Sequence, residues 1–265
     1  MPNLVNSYRH IGAGDGQYVA LLANTGASAD EVTLSSDYGV DFTEIDTVIH
    51  DSVGISGTGQ YILIGRTLLS SQMKVSDDYG ATWTTVGGSI AHDDTKVSET
   101  GEYMISVATG TDEIQLSSDY GATWGESSGK SLAYEACAVN LSGEYQLACS
   151  NESAVVSDDY GATWTTYTPT KFGGAATCAI SETGQYMVKC TGIDAEWWLS
   201  TNYGVTWVKD TTSFTNKVQW IDINNTGDYI IVCFLPKSGF PEKIQVSDDT
   251  GSTWTEYGVT GQYTA

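Results

Sequence analysis

Ser76-Asp77-Asp78-Tyr79-Gly80-Ala81-Thr82-Trp83 is one of six near-copies of the same stretch in this chain of 265 residues. We call each copy a box and mark its position by its central glycine. The central glycines are Gly39, Gly80, Gly121, Gly161, Gly204 and Gly251, at successive intervals of 41, 41, 40, 43 and 47 residues. A repeat of about 40 to 50 residues is typical of the four-stranded blades of a β-propeller. The spacing therefore predicts a repeat protein with one blade for each box.

A second, weaker repeat of the form Gly-x-Tyr alternates with the boxes. Its glycines are Gly16, Gly59, Gly101, Gly143, Gly184 and Gly227. Two different turns in each period predict two hairpins, and segments such as Glu113-Ile114-Gln115-Leu116 alternate polar and apolar residues as half-buried strands do. The sequence thus predicts an all-β, six-bladed propeller with four antiparallel strands per blade. The box is expected in the turn between strands three and four.

The two repeats also predict the blade boundaries within a single domain, residues 1–265. The blades cover approximately residues 7–46, 47–88, 89–128, 129–168, 169–211 and 212–257, and residues 258–265 form a tail or closure segment. The tail holds another Gly-x-Tyr at Gly261, only 10 residues after Gly251, whereas the other boxes precede the next turn by 20 to 23 residues. This interval leaves no room for another first strand.

The residue types of the box explain its shape. An acid or amide at the third position accepts backbone N–H bonds as an Asx-turn, the glycine supplies a positive φ, and the Trp folds back as an apolar plug. The pattern S-x-D/N-x-G-x-T-W resembles the Asp-box, or BNR, repeat of sialidase-type propellers, where it is a scaffold on the face away from the ligand site. The resemblance implies structural roles for the polar residues Asp37, Asp78, Asp119, Asp159, Asn202 and Asp249 and for the rings of Phe42, Trp83, Trp124, Trp164, Trp207 and Trp254.

The composition is strongly acidic, with 33 acidic and 11 basic residues and a formal net charge of −22. A nucleic-acid partner needs a Lys/Arg surface, so nucleic-acid binding is not expected. The charge indicates solubility in a salty medium or, alternatively, a role in cation binding. No apolar run approaches the roughly 18 residues that cross a bilayer, and Met1-Pro2-Asn3-Leu4 lacks the features of a secretory signal. We expect neither membrane insertion nor a signal peptide.

Four of the five cysteines are placed symmetrically about two Gly-x-Tyr turns. Cys137 and Cys149 lie six residues either side of Gly143, and Cys178 and Cys190 lie six residues either side of Gly184. If the glycines mark the hairpin centres, each pair faces across two strands, either as buried thiols or as a disulfide. Cys233 is predicted to be unpaired.

Both repeated turns fall on one end of a four-stranded blade, so binding is expected at the opposite end, where the loops vary. Four residues where the chain enters the innermost strands could hold a divalent cation, although we favour the alternative that they are polar residues lining a wet channel mouth. These candidate metal ligands are His50, Asp51, His92 and Asp93. No other cofactor is predicted.

Aromatic and basic residues near the same end are candidates for binding a glycan or a protein surface. They are Tyr134, Trp198, Trp220, Arg9 and Arg66. Adjacent Trp197 and Trp198 point to opposite sides of their strand, so one could be exposed for sugar stacking. The alternative is that both tryptophans pack between blades.

Three classes of function follow from this scaffold. Sialidases clamp the substrate carboxylate with three arginines, and this chain has only Arg9 and Arg66, so that activity is not expected. A glycoside hydrolase could use paired carboxylates from Asp51, Asp93 and Glu135. We favour a non-catalytic recognition or display module in a virion or outside a cell, because phage and algal-virus tail or fibre proteins carry similar strings of boxes. Its partners would be a glycan, a protein surface or other virion proteins, and a purely structural particle component is the remaining alternative.

Overall fold

A computed structural model describes residues 7–13, 16–24, 30–46, 48, 50–67, 72–88, 90–109, 113–127, 133–150, 153–167, 176–191, 196–209, 218–234 and 243–258. Within these residues the chain forms β-strands and no helix. A helix long and apolar enough to cross a membrane is accordingly not found in this part of the chain.

Each of six sheets contains four strands that are consecutive in the sequence. Blade 1 contains β1 (Ser7–Ala13), β2 (Val19–Asn24), β3 (Asp30–Ser35) and β4 (Thr43–Asp46). Blade 2 contains β5 (Ser52–Ile55), β6 (Ile62–Gly65), β7 (Met73–Ser76) and β8 (Thr84–Val86). Blade 3 contains β9 (Asp94–Val97), β10 (Met104–Ala108), β11 (Glu113–Ser117) and β12 (Gly125–Glu126).

The second half of the chain repeats this order. Blade 4 contains β13 (Tyr134–Val139), β14 (Gln146–Ser150), β15 (Ala154–Ser157) and β16 (Thr165–Tyr167). Blade 5 contains β17 (Ala176–Ile180), β18 (Met187–Thr191), β19 (Trp197–Ser200) and β20 (Val208–Lys209). Blade 6 contains β21 (Val218–Ile223), β22 (Ile230–Phe234), β23 (Lys243–Ser247) and β24 (Thr255–Gly258). All neighbouring strands are antiparallel, which confirms the predicted six-bladed, all-β propeller.

The core of the molecule lies between the blades. Within the described ranges, apolar side chains form five cores, one at each junction from blades 1 and 2 to blades 5 and 6. Every residue of β6, β10, β14 and β18 is buried, because each of these second strands has a neighbouring blade on both faces. Burial on both faces explains why these strands are almost uniformly apolar or small.

The box turn is held by hydrogen bonds within itself. In the third box, Gly121 N donates to Ser117 Oγ at 2.9 Å, and Ser117 Oγ donates to Asp119 Oδ1 at 2.9 Å. Thr123 N donates to Asp119 Oδ1 at 2.8 Å, and its hydroxyl donates to Oδ2 at 2.6 Å. Tyr120 and Gly121 both have positive φ, 60° and 82°. The acid therefore closes a turn that the backbone alone would not favour.

The tryptophan of the box covers this turn. The indole N–H groups of Trp124, Trp164 and Trp207 each donate at 3.0 Å to the carbonyl of the central glycine of their own box. The rings of Trp124 and Trp164 are half-buried rather than enclosed. Their indoles thus close the hairpin end and contribute only part of their surface to the core.

The predicted cysteine pairing is wrong because the hairpins are centred half a residue before each glycine. Val139 pairs with Gln146, so Cys137 lies opposite Ala148 and Cys149 lies opposite Ala136. Cys137 then points into the core between blades 3 and 4, whereas Cys149 points into the core between blades 4 and 5. Cys178 and Cys190 are separated in the same way, opposite Lys189 and Thr177. All five cysteines, including Cys233, are free thiols.

The box acids are expected to make the protein lose stability in acid. The Thr hydroxyl and amide of each box hold the pKa of Asp78, Asp159 and Asp249 below the ordinary carboxyl value. A depressed folded-state pKa contributes stability that is present above the unfolded-state pKa and is lost as the pH falls through the folded-state value. We expect the triple Asp→Asn variant at these positions to show a smaller drop in Tm than the unmodified protein between about pH 5 and about pH 3.

Asparagine is the right replacement because Asn202 already forms the same turn in the fifth box, accepting from Thr206 N at 2.9 Å. The matched control is the triple Asp→Asn variant at Asp77, Asp158 and Asp248, which are exposed acids in the same three boxes. Thermal melts followed by circular dichroism at each pH give the Tm values of the two triple variants. If both variants reduced the drop in Tm by the same amount, the prediction would be contradicted, since the effect would then come from net charge alone.

Candidate functional site

The two repeated turns lie together at one end of the blades. In blades 1 to 3 the amide of the box tyrosine donates to a carbonyl in the Gly-x-Tyr turn of its own blade, as Tyr79 N does to Gln60 O at 3.1 Å. We call this end the box face and the opposite end the loop face. The segments that join the second strand to the third strand of each blade lie outside the described part of the chain, as does the side chain of Arg9; these segments are residues 25–29, 68–71, 110–112, 151–152, 192–195 and 235–242.

The carboxylates of Asp51 and Asp93 are bonded within their own blades. Asp51 Oδ2 accepts from the amide and the hydroxyl of Thr67, both at 2.8 Å. Asp93 Oδ2 accepts from the amide of Thr109 at 2.6 Å and from its hydroxyl at 2.9 Å. Each acid thus ties the start of an innermost strand to the end of the second strand beside it. These contacts give both residues a structural role at the loop face.

The two histidines whose side chains are described, His50 and His92, are buried and hydrogen-bonded or paired inside the fold. His50 Nε2 lies 3.4 Å from Asp46 Oδ1, and His92 Nδ1 lies 2.9 Å from Ser106 Oγ. Burial lowers the pKa of both imidazoles, with the Asp46 charge opposing it at His50. Within the described residues, no three His, Cys, Asp or Glu side chains converge to hold a metal ion.

Two of the aromatic candidates are not available to a ligand at the surface. Tyr134 is fully buried, and both Trp197 and Trp198 are buried, so the expectation of an exposed ring at Tyr134 or Trp198 is wrong. Trp197 packs between blades 5 and 6, and Trp198 packs between blades 4 and 5. Adjacent strand residues point to opposite faces, and both faces of blade 5 are covered.

Trp220 remains accessible, with 36% of its surface exposed, next to the exposed Gln219. Gln219 lies in a β-bulge and Trp220 follows it, since the register of β21 against β22 shifts between Val218 and Trp220. A second bulge, between Tyr134 and Ala136, places the partly buried Glu135 at the same end of β13. Bulges re-aim side chains and concentrate near functional sites. The loop-face ends of β1, β13 and β21 are therefore the irregular positions of the inner strands.

Charged residues on the inner strands form a cluster that sequence reasoning missed. Asp94 accepts from Lys96 Nζ at 2.6 Å and from Cys137 N, in the next blade, at 3.0 Å. Desolvation raises the pKa of Asp222, on β21, while the hydrogen bond from the amide of Ile223 and the charge of Lys96 oppose the rise. The available signal was positional: five residues before the six Gly-x-Tyr glycines stand Ile11, Gly54, Lys96, Ala138, Ala179 and Asp222. Two charged residues stand there among small or apolar residues.

Lys189 is a second charged residue that the sequence did not single out. Its side chain is fully buried, and Nζ donates to the carbonyl oxygens of Ser150 at 2.6 Å and Ser153 at 2.9 Å. Burial lowers the pKa of the ammonium. Lys189 therefore joins β18 of blade 5 to the end of β14 in blade 4. Arg66, by contrast, is only partly buried at the loop-face end of β6.

No family model matches this sequence, and no curated protein matches it. The fold is similar to solved structures at low identity. YCF48 bound to D1 peptide matches with a TM-score of 0.65 and 12% identity over 95% of this chain and 81% of that chain. Hydrazine synthase of Kuenenia stuttgartiensis matches with a TM-score of 0.70 and 11% identity over 91% of this chain and 77% of that chain.

A GH74 xyloglucanase from Xanthomonas campestris is similar as well, with a TM-score of 0.72 and 9% identity. The alignment covers 96% of this chain and 45% of the xyloglucanase chain. At these identities the likenesses show the fold alone. They support the β-propeller architecture.

Proposed function

We propose that this chain is a non-catalytic recognition module that binds a basic protein segment at the loop face. The observation that carries the proposal is the bulge in β21 at Gln219, where Gln219 and the following Trp220 are both exposed. An exposed indole beside an amide supplies a flat apolar contact with a hydrogen-bonding group, the combination typical of interface anchors.

Charge favours a basic partner. The net charge of −22 attracts Lys/Arg-bearing surfaces and repels acidic ones. A propeller of similar fold, YCF48, is described in complex with a peptide, which supports peptide recognition as one use of this architecture. The carboxylates of Asp51 and Asp93 are bonded to Thr67 and Thr109, which favours binding over acid–base chemistry at these positions.

The experiment is a binding screen of the purified chain on peptide and glycan arrays, followed by calorimetry on the best ligand. We expect a Lys/Arg-rich peptide to bind and Trp220→Ala to weaken it about 30-fold, the effect of losing an interface anchor of about 2 kcal/mol. Tyr257→Ala, at an exposed ring on the outermost strand of the same blade, is the matched control and should leave affinity unchanged. Binding that survives Trp220→Ala would refute the site.

A glycan ligand is the second candidate, because an exposed indole also stacks on sugar rings. Glycan binding lost in Trp220→Ala would favour it over a peptide. Turnover of a polysaccharide abolished by Asp51→Ala or Asp93→Ala would instead make the protein a glycoside hydrolase.

The finer assignment is that the boxes are Asp-box repeats and that the module is carried on a virus particle or outside a cell. It rests on the repeated S-x-D/N-x-G-x-T-W sequence and on a chain with 29 glycines and only 11 basic residues. Mass spectrometry of purified particles and of cell-free medium from the source tests it. Recovery of the chain only inside cells would contradict it.

A further inference from the structure

Two equivalent positions face each other at the five junctions from blades 1 and 2 to blades 5 and 6. The first lies on the second strand of one blade, six residues after its Gly-x-Tyr glycine. The second lies on the innermost strand of the next blade, six residues before its Gly-x-Tyr glycine. In chain order the pairs are Leu22 and Val53, Gly65 and Thr95, Val107 and Cys137, Cys149 and Cys178, and Cys190 and Ile221. In four of the five pairs both members belong to the same apolar core.

The remaining pair, Gly65 and Thr95, shows how close the two positions are. A Cβ on Gly65 would lie 2.9 Å from Thr95 Cγ2, an atom bonded directly to the Thr95 Cβ. The two Cβ positions are therefore no farther apart than the about 4.5 Å that a disulfide spans. At the junction of blades 4 and 5, the equivalent residues are Cys149 and Cys178.

Strand registers show that this equivalence holds. Cys178 lies opposite Lys189 in blade 5, and Cys149 lies opposite Ala136 in blade 4. The corresponding residues of blades 2 and 3 pair at the same offsets from their turn glycines. Cys149 and Cys178 are therefore aligned as Gly65 and Thr95 are, and both thiols are buried in the core between blades 4 and 5.

Lys189 lies in this junction too. It is the cross-strand partner of Cys178, and its ammonium reaches the carbonyl oxygens of Ser150 and Ser153 in blade 4. The residues at the position of Lys189 in the other blades are uncharged: they are Leu21, Ile64, Ser106, Ala148 and Val232. Among the five described junctions, the one with two facing cysteines is thus the one with an ammonium at this position.

The two thiols differ in acidity. Burial opposes ionisation of Cys149, but hydrogen bonding to the Cys178 thiol and the charge of Lys189 outweigh it and lower the pKa of Cys149. Burial raises the pKa of Cys178 well above the ordinary thiol value, and interaction with Cys149 adds to the rise. A more acidic thiol beside a less acidic one is the arrangement of an attacking and a resolving cysteine.

We propose that Cys149 and Cys178 form a redox site that a peroxide oxidises to a reversible disulfide between blades 4 and 5. Cys149 is the last residue but one of β14 and Cys178 is the third residue of β17, so both lie near the loop face. Local opening at strand ends admits a molecule as small as hydrogen peroxide. This inference goes beyond the proposed ligand site, and its test uses residues outside that site.

The oxidation proceeds in two steps. The Cys149 thiolate attacks one oxygen of hydrogen peroxide, an S–O bond forms, the O–O bond breaks, and the departing hydroxide takes up a proton and leaves as water. Cys178 sulfur then attacks the sulfur of this sulfenic acid, so that the S–S bond forms and the S–O bond breaks. The second hydroxide leaves as water with the Cys178 proton. The thiols lose two electrons, the peroxide gains them, and a dithiol reductant reverses the reaction.

Peroxide treatment of the reduced, native protein tests the proposal. The treated chain is unfolded in guanidinium, its remaining thiols are alkylated, and mass spectrometry counts them. We expect two fewer alkylated thiols than the five of the reduced protein, and peptide fragmentation should assign the bond to Cys149 and Cys178. Tm should rise by about 5 to 15 °C, because the bond closes a loop in the unfolded chain, and dithiothreitol should reverse the rise.

Three alanine variants make the test specific. Cys149→Ala and Cys178→Ala should each abolish the bond and the rise in Tm. Cys190→Ala is the matched control, because Cys190 occupies the position of Cys149 in blade 5 but faces Ile221, and it should be oxidised like the unmodified protein. Cooperative melts of the reduced variants show that each is folded. An unchanged thiol count after peroxide, a bond formed by Cys137 instead, or a rise in Tm that persists in Cys149→Ala would each overturn the proposal.

Dimedone, which traps sulfenic acids, tests the order of attack when it is added with the denaturant. In Cys178→Ala, the sulfenic acid at Cys149 lacks its resolving thiol and should be labelled. In Cys149→Ala, labelling of Cys178 should be about tenfold weaker, because its thiol is the less acidic one. Stronger labelling of Cys178 than of Cys149 would overturn the assignment of Cys149 as the attacking thiol.

Discussion

Replacing Trp197 by Ala is expected to destabilise the protein by about 3 to 5 kcal/mol, the range for removing a fully buried large aromatic side chain. Trp197 is the largest of the fully buried side chains among the described residues. Its ring packs edge-on against Trp254 at 5.4 Å, and a Cβ on Gly251 would lie 2.1 Å from it. The surroundings fit the indole closely, so its removal leaves a cavity between blades 5 and 6. Tm should fall by about 10 °C.

Trp124→Ala is the matched comparison for this variant. Trp124 is half-buried and donates one hydrogen bond to Gly121 O, so we expect a smaller loss of about 1 to 3 kcal/mol. Urea denaturation of both variants measures the two free energies of unfolding. A larger loss for Trp124→Ala would contradict the packing argument, because it would place more stability in the box turn than in the inter-blade core.

The second large effect is expected for Gly143→Ala. Gly143 has φ +84°, and an added Cβ would lie 2.3 Å from the ring of Tyr103 in the preceding blade. The left-handed backbone costs a non-glycine residue about 1 kcal/mol, and forcing the ring aside costs about 1 to 3 kcal/mol more. We therefore expect a loss of about 2 to 4 kcal/mol in the free energy of unfolding.

Two other glycines separate the backbone cost from the cost of displacing a neighbouring ring. Gly16→Ala meets the positive φ, +94°, but no atom within 4 Å, so only the backbone cost of about 1 kcal/mol should appear. Gly125→Ala has neither a positive φ nor a neighbour within 4 Å and should change stability by less than about 0.5 kcal/mol. Thermal and urea melts measure the loss of unfolding free energy in Gly143→Ala and in Gly16→Ala. If the two losses were equal, the close approach of Gly143 to the Tyr103 ring would contribute nothing to stability.

The local turns were predictable from the sequence because their physics is local. Asp119, Ser117 and Thr123 close the box through hydrogen bonds that span four residues or fewer. A positive φ at Gly121 follows from the same few residues. Once the boxes and the Gly-x-Tyr turns are recognised, their alternation sets the number of hairpins and blades. The six-bladed fold was therefore evident before any contact between blades was known.

The candidate site was less predictable, because its residues take their roles from distant partners. Thr67 lies 16 residues from Asp51, and their hydrogen bond gives this candidate catalytic acid the role of linking two neighbouring strands. Trp198 and Tyr134 were expected to face a ligand, but the covering of both faces of their blades buries them. Among the described aromatic candidates only Trp220 is exposed, and it follows the irregular position in β21.

The sequence by itself determined the turns, the period and the number of blades, since each depends on hydrogen bonds and φ angles within a few residues. Tertiary structure alone decided what covers each face of a blade. A hairpin centred between Ser142 and Gly143 rather than on Gly143 sends Cys137 and Cys149 to opposite faces. Hydrogen bonds between Asn140 and Tyr145 set that half-residue shift locally, but the neighbouring blade, about 40 positions away in the sequence, decides which core each cysteine enters. Side chains on a strand alternate between faces, and only the neighbouring blade defines what each face meets.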